Sequence, residues 1–190
     1  GLVLILLLDA ALLGGITVRH SVIWGKNNMQ TNKLMENFVQ TVEPIKILPE
    51  KLKQILGDGF IFENGCVFFK SFELGIDAHD FDVDVVKERF LDFSGFEHSL
   101  NKFHIEDFCE SHLFPTALLF VKEFRKTWQK SMTELGCVST LSFQQDEEFG
   151  DIATFTFHVL REDETVINTD AFEDFAHPIA VDLIIPVLSS

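Results

Sequence analysis

Between residues 98 and 112 the chain carries His98, His104, Glu106, Cys109, Glu110 and His112, a set of imidazole, thiol and carboxylate groups that zinc accepts. Cys109 and His112 are three residues apart, a spacing that shares one helical face. No Cys-x-x-Cys or His-x-x-x-His pair accompanies them, and two ligands from one helix need partners that the sequence does not assign. The spacing therefore reads as partly exposed histidines beside a buried thiol, and no metal is assigned.

The run from Asp77 to Asp84 offers a second candidate. Asp80, Asp82 and Asp84 match the opening of a calcium loop, but the sixth and twelfth positions hold Val85 and Leu91 where Gly and Glu are required. These acids read as the cap of a following helix. Ser94-Gly95 lacks the first glycine of a nucleophile elbow, and no phosphate-binding glycine loop occurs. With 30 acids in the chain, carboxylate pairs arise by chance and carry no weight. No catalytic residue or cofactor is assigned.

What remains is charge. The net charge is −15, and it is uneven: residues 1–57 hold six bases and four acids, whereas residues 58–190 hold nine bases and 26 acids. Residues 73–110 contribute eleven acids and residues 146–174 contribute ten. An acidic surface repels nucleic acid and anionic lipid and attracts a basic protein. The candidate contact residues are Asp146, Glu147, Glu148, Phe149 and Asp151 in one segment and Glu162, Asp163, Glu164, Asp170, Phe172, Glu173 and Asp174 in the next. There the acids would speed encounter and exposed rings would anchor the complex.

The elements that must hold these residues follow from periodicity. Residues 30–43 alternate at helical spacing through Leu34, Met35, Phe38 and Val42, ending at Pro44. Pro49 opens a second helix, and Glu63-Asn64-Gly65 turns a hairpin within residues 60–72. Helical patterns recur at 82–93, less regularly at 97–113, and at 116–135, where Lys122, Arg125, Lys126 and Lys130 make a basic face and Gly136 a cap. That face is placed to pair with one of the acidic stretches. Residues 137–143 and 151–160 read as strands joined by a polar loop at 144–150, with further strands at 165–167 and 179–188. The fold class is α+β: N-terminal helices and a hairpin, a long central helix, and a C-terminal antiparallel sheet.

Composition supports a packed domain over residues 29–190: 46% of the chain is hydrophobic, and 21 Phe against no Tyr makes a core with few hydroxyls to satisfy. Three scattered cysteines read as free thiols, which fits a cytoplasmic protein. Residues 1–28 form an apolar segment with three readings: a membrane anchor or partial signal sequence over 1–18, a buried helix running into a strand at 16–24, or residues upstream of a start at Met29 or Met35. Asp9 and Gly14-Gly15 weigh against the anchor, so membrane contact is expected only if residues 1–18 supply it.

Three functions fit. The first is a small acidic module that neutralises a basic protein; in general character it compares with immunity or antitoxin proteins that block a nuclease toxin, although no motif places it among them. The second is a small-ligand binder or simple enzyme with a Phe-lined pocket and His158 or His104 inside. The third is a membrane-tethered accessory domain.

Overall fold

The structure, a computed structural model, describes residues 28–72, 81–148 and 150–186. The apolar segment at 1–27, the run at 73–80 and Phe149 lie outside the described residues, so the anchor reading and that ring's role do too.

The protein is α+β, with an antiparallel five-stranded sheet in the order β1-β7-β5-β6-β4 and a separate hairpin of β2 and β3. The strands are β1 (Asn28–Thr31), β2 (Phe60–Glu63), β3 (Cys66–Phe69), β4 (Phe103–His104), β5 (Cys137–Asp146), β6 (Gly150–Val159) and β7 (Ile179–Ile184). The helices are α1 (Lys33–Val39), α2 (Glu50–Asp58), α3 (Val83–Phe90), α4 (Phe93–Leu100) and α5 (Leu113–Ser131).

The apolar spacing of α5 buries Phe120, Val121, Phe124 and Trp128 against the sheet. The alternation of β6 answers with Ala153, Phe155, Phe157 and Val159 on the same face. Phe124 meets Phe155 at 4.9 Å and Phe157 at 5.0 Å between ring centroids, mostly edge to face. Strand β3 is buried along its whole length, which explains its unbroken apolar run. Val67 and Phe69 face α5 and the sheet, while Cys66 and Phe68 pack under α3 and α4 with Phe81, Val86 and Phe96. The Asn64-Gly65 turn adopts the expected positive φ angles of 48° and 84°.

Several boundaries differ from the sequence reading. The first helix begins at Lys33 because Asn32 caps it, its side chain accepting from Met35 N–H; residues 28–31 are instead an edge strand on β7. The 97–113 region divides into α4, the two-residue β4 and a 3-10 turn (Ile105–Phe108), so Cys109 and His112 share no helix face. Helix α5 stops at Ser131, four residues short of the expected end, with Trp128 Nε1 donating to Leu135 O across the turn that follows. Gly136 is therefore no cap; a Cβ there would stand 3.0 Å from Leu160 and 3.3 Å from Ile184 O, so the glycine permits close strand approach. The polar loop at 144–150 is mostly strand, since β5 and β6 stay paired to Asp146 and Gly150. Residues 165–167 form no strand; the chain makes a 3-10 helix (Thr169–Asp174) instead. The last strand ends at Ile184, two residues before Pro186, which has no N–H for a ladder.

The acids before α3 do cap it: Asp82 accepts from Asp84 N–H, and Asp92 does the same for α4 at Gly95.

Candidate functional site

Two buried ion pairs organise the interior. In the first, Glu97 of α4 is fully buried and Arg161, just past β6, is 18% exposed at its side chain. Glu97 Oε1 accepts from Val67 N–H of β3 (2.6 Å), and Oε2 accepts from Val159 N–H of β6 (2.9 Å) and from Arg161 Nη1 (2.7 Å). One turn on, Asn101 accepts from Phe69 N–H and donates to the carbonyls of Val67 and Phe157. The edges of β3 and β6 are thus joined through Glu97 of α4 and Asn101, the residue that caps it, which stand where a strand would otherwise run. Arg161 closes the assembly by donating to Gly65 O of the hairpin and to Ser94 Oγ. Burial pushes the Glu97 carboxyl up from its ordinary value, with Arg161 opposing the shift. The same burial raises the neighbouring Cys66 thiol to about 12 and holds His98 down at about 4, so Cys66 is no nucleophile and His98 is neutral at pH 7. Among the buried side-chain polar atoms of this network only His98 Nδ1 lacks a partner, so the network reads as scaffold.

The second pair lies across the sheet. Arg125 Nη1 of α5 donates to Asp182 Oδ1 in the middle of β7, whose side chain is 1% exposed. Asp182 pairs across the ladder with Ser139 of β5 on the same face. Asp182 Oδ2 and Ser139 Oγ are both buried, and neither has a hydrogen-bond partner among the described residues. An orphaned carboxylate oxygen is uncommon in a folded interior and calls for a reason. Desolvation raises the Asp182 carboxyl from its ordinary value, and Arg125 limits the rise.

This pair forms the floor of a cleft of about 610 Å³. Its walls are α5, through Pro115, Leu118 and Val121, and the extended strap that links α1 to α2, through Val42, Pro44 and Ile45. The strap stays extended because Pro44 and Pro49 withhold backbone donors and disfavour helix before them. Met29 of β1 and Val39 complete the apolar lining, and Lys122 stands on the rim. Behind Met29 and Val121, a recess too narrow for water reaches Asp182 and Ser139. The volume falls within the range of small-molecule sites, and the design is the usual one of an apolar wall with few polar groups. A second depression of about 820 Å³ between α2 and the end of α5 is more open, and Lys46, Lys53, Glu123 and Lys130 line it.

The partner-binding residues read from the sequence occupy two places. Asp146, Glu147, Glu148 and Asp151 are exposed at the β5–β6 turn. Glu162 and Asp163 are exposed at the opposite end of β6, and the chain then recrosses the sheet's outer face to Asp170, Glu173 and Asp174, also exposed. The acids of the β5–β6 turn and the pair Glu162 and Asp163 therefore lie at opposite ends of β6. Glu164 is half-buried, accepting from Ser94 N–H, and Glu173 accepts from Lys33 N–H at the start of α1. Phe172 is no exposed anchor: it is 7% exposed, packed with Ile179, Val181 and Val138, and Phe175 is half-buried beside it. The basic face of α5 pairs outside both acidic stretches, Arg125 with Asp182 and Lys126 with Glu123.

Among the described residues no three His, Cys, Asp or Glu side chains converge as metal ligands. His104 instead faces Glu106 at 3.4 Å, and Cys109 Sγ donates to Ile105 O. His158 is buried at the α4 edge, 6.3 Å from the His98 ring and not in the cleft wall. No described helix is long and apolar enough to cross a membrane.

Sequence reasoning missed the Arg125–Asp182 pair. Its signal was present: Asp182 is the lone charge in the apolar stretch at residues 179–188.

No solved structure matches the chain. A protein of Pasteurella multocida (strain Pm70) described as "Uncharacterized protein PM0498" is 35% identical over 156 residues, covering 80% of this chain and 97% of its own length. The model of the Uncharacterized protein PM0498 family matches residues 30–185, from within β1 to just past β7, and the chain therefore belongs to the PM0498 family.

Proposed function

We propose that the protein binds a small apolar ligand in the cleft between α5 and the α1–α2 strap. The observation that carries this reading is the coincidence of an apolar cleft of about 610 Å³ with a buried carboxylate oxygen, Asp182 Oδ2, that has no partner among the described residues. Buried polar groups are normally satisfied within the fold, and one left unpaired just beneath the floor of a cleft is placed to meet a ligand that displaces the side chains over it. The ligand's apolar body would replace water along Met29, Val39, Val42 and Leu118. The cleft walls are aliphatic, and the Phe residues instead fill the core beneath.

Competition for a hydrophobic dye tests it. Wild type should take up the dye and release it to a ten-carbon alkyl probe, and Val42→Trp, which fills the cleft from the strap, should abolish uptake at unchanged melting temperature. Equal uptake by both proteins would count against the cleft.

A second reading keeps the acidic surface as a docking site for a basic protein, including an immunity-type partnership with a nuclease. It is favoured by the four exposed acids at the β5–β6 turn, Asp146, Glu147, Glu148 and Asp151. Affinity for such a partner would fall steeply with salt and with Glu147→Lys/Glu148→Lys; salt-insensitive binding would speak against it.

A further inference from the structure

We infer that Asp182 is the head-group receptor of the cleft and selects ligands whose polar end donates hydrogen bonds, an alkyl amine or alcohol, over alkyl carboxylates. The assignment presupposes that the cleft takes an apolar tail, the reading given above.

Strand β7 sets the direction of Asp182. Its residues alternate between the two faces, and Ala180, Asp182 and Ile184 face the core while Ile179 and Val181 face out. Asp182 therefore points towards α5, where Arg125 Nη1 fixes Oδ1 and also reaches Leu183 O at 3.5 Å. That anchor leaves Oδ2 without a hydrogen bond and its lone pairs unused. Asp182 borders both the cleft and the recess behind it. Met29 and Val121 border both as well, and Met29, unbranched and adaptable, is the wall that would have to turn aside for a head group to pass from one space to the other. An ammonium or hydroxyl arriving there would donate to Oδ2, whereas a carboxylate would set oxygen lone pairs against oxygen lone pairs. Ser139 Oγ, also unpartnered, lies in the same recess and can donate to or accept from the same head. The rival is Lys122 on the rim, which would hold an anionic head near solvent; Arg125 also lines the cleft, but its Nη1 is already held by Asp182 Oδ1 and Leu183 O.

The rival and the receptor are separated by titrating wild type with decylamine, decanol and decanoate, each below its micelle concentration, by calorimetry. Decylamine and decanol should bind at least about tenfold more tightly than decanoate, a difference of one satisfied hydrogen bond to a charged group. In Asp182→Asn the amide oxygen takes over the bond to Arg125 and presents N–H₂ to the cleft, so the preference should collapse or invert towards decanoate. A merely structural Asp182 would weaken all three probes alike. Tighter or equal binding of decanoate by wild type would overturn the inference and leave the cleft reading standing; binding of none of the three would overturn the cleft reading itself. The wild-type series decides even if Asp182→Asn fails to fold. So does the position of bound decylamine: nuclear Overhauser contacts from its nitrogen-bearing methylene to Met29 and Val121 are expected, and contacts to Lys122 instead would refute the receptor.

Discussion

Removing Glu97 should unstitch the hairpin from the sheet. Glu97→Ala strands the N–H groups of Val67 and Val159 and leaves Arg161 without its buried partner. Each orphaned buried N–H is worth about 1 to 3 kcal/mol, and breaking a buried ion pair by removing one side is worth about 3 to 5 kcal/mol. These losses overlap, because water entering at the vacated site would solvate all three groups, so we expect about 4 kcal/mol in total. For a domain of this size that is a fall in melting temperature of about 8 to 16 °C. Glu97→Gln retains the shape but aims N–H₂ at donors, and should lose about half as much. Replacing both partners, Glu97→Met with Arg161→Met, should recover much of the loss, since apolar groups leave no charge uncompensated. Urea denaturation followed by circular dichroism measures the free energies, and amide exchange should show lost protection at Val67 and Val159. A Glu97→Ala loss below about 1 kcal/mol, or unchanged exchange at those two amides, would refute the view that α4 side chains replace a strand.

Other consequences are simpler to test. His98 titrates near 4 in the fold against 6.5 when unfolded, so the unfolded chain binds the extra proton and stability falls as pH drops from 6.5 towards 4; roughly 2 to 3 kcal/mol should be lost across that window and be absent in His98→Gln. The raised carboxyls of Glu97 and Asp182 act with the opposite sign, stabilising as pH falls, which is why the difference between wild type and His98→Gln is the quantity to measure. Gly136→Val should destabilise by about 1 to 3 kcal/mol through overpacking on Leu160 and Ile184, read from the urea midpoint. Of the three cysteines, only half-buried Cys109 should react with a thiol reagent at pH 8 in the native protein, and all three in denaturant, since burial pushes Cys66 to about 12 and holds Cys137 well above its ordinary value. Phe172→Ala should cost about 3 kcal/mol, because the ring closes the cluster on the outer face of the sheet.

The sheet and its main helix were legible because their burial is periodic. Phe155 and Phe157 alternate with Thr154 and Thr156 along β6, and Phe120, Phe124 and Trp128 repeat at helical spacing, so each element announces its buried face. The Asn-Gly turn and the aspartate caps were legible because their chemistry is local. Strand β1 was not, since its sequence Asn-Met-Gln-Thr has no apolar pattern and its strand state comes from pairing with β7, some 150 residues away. Phe172 was read as an anchor because acids surround it in sequence; in the fold those acids point outward while the 3-10 turn directs the ring inward. The candidate site was the least legible part. Arg125 looked like one of four bases on a solvated helix face, and only the packing of α5 across β7 reveals that it meets the single acid of that strand. Charge counting along the chain cannot separate an acid that meets solvent from one, such as Glu97 or Asp182, that is sealed inside.

A ligand seated beside Asp182 would perturb the backbone amides around it. Two-dimensional amide correlation spectra of the labelled protein, recorded while decanol is added, test it directly. Saturable shifts are expected at Met29, Val39–Ile45, Leu118–Arg125 and Asp182, with the β5–β6 turn undisturbed. Saturable shifts confined to other surfaces, or none at all, would contradict it.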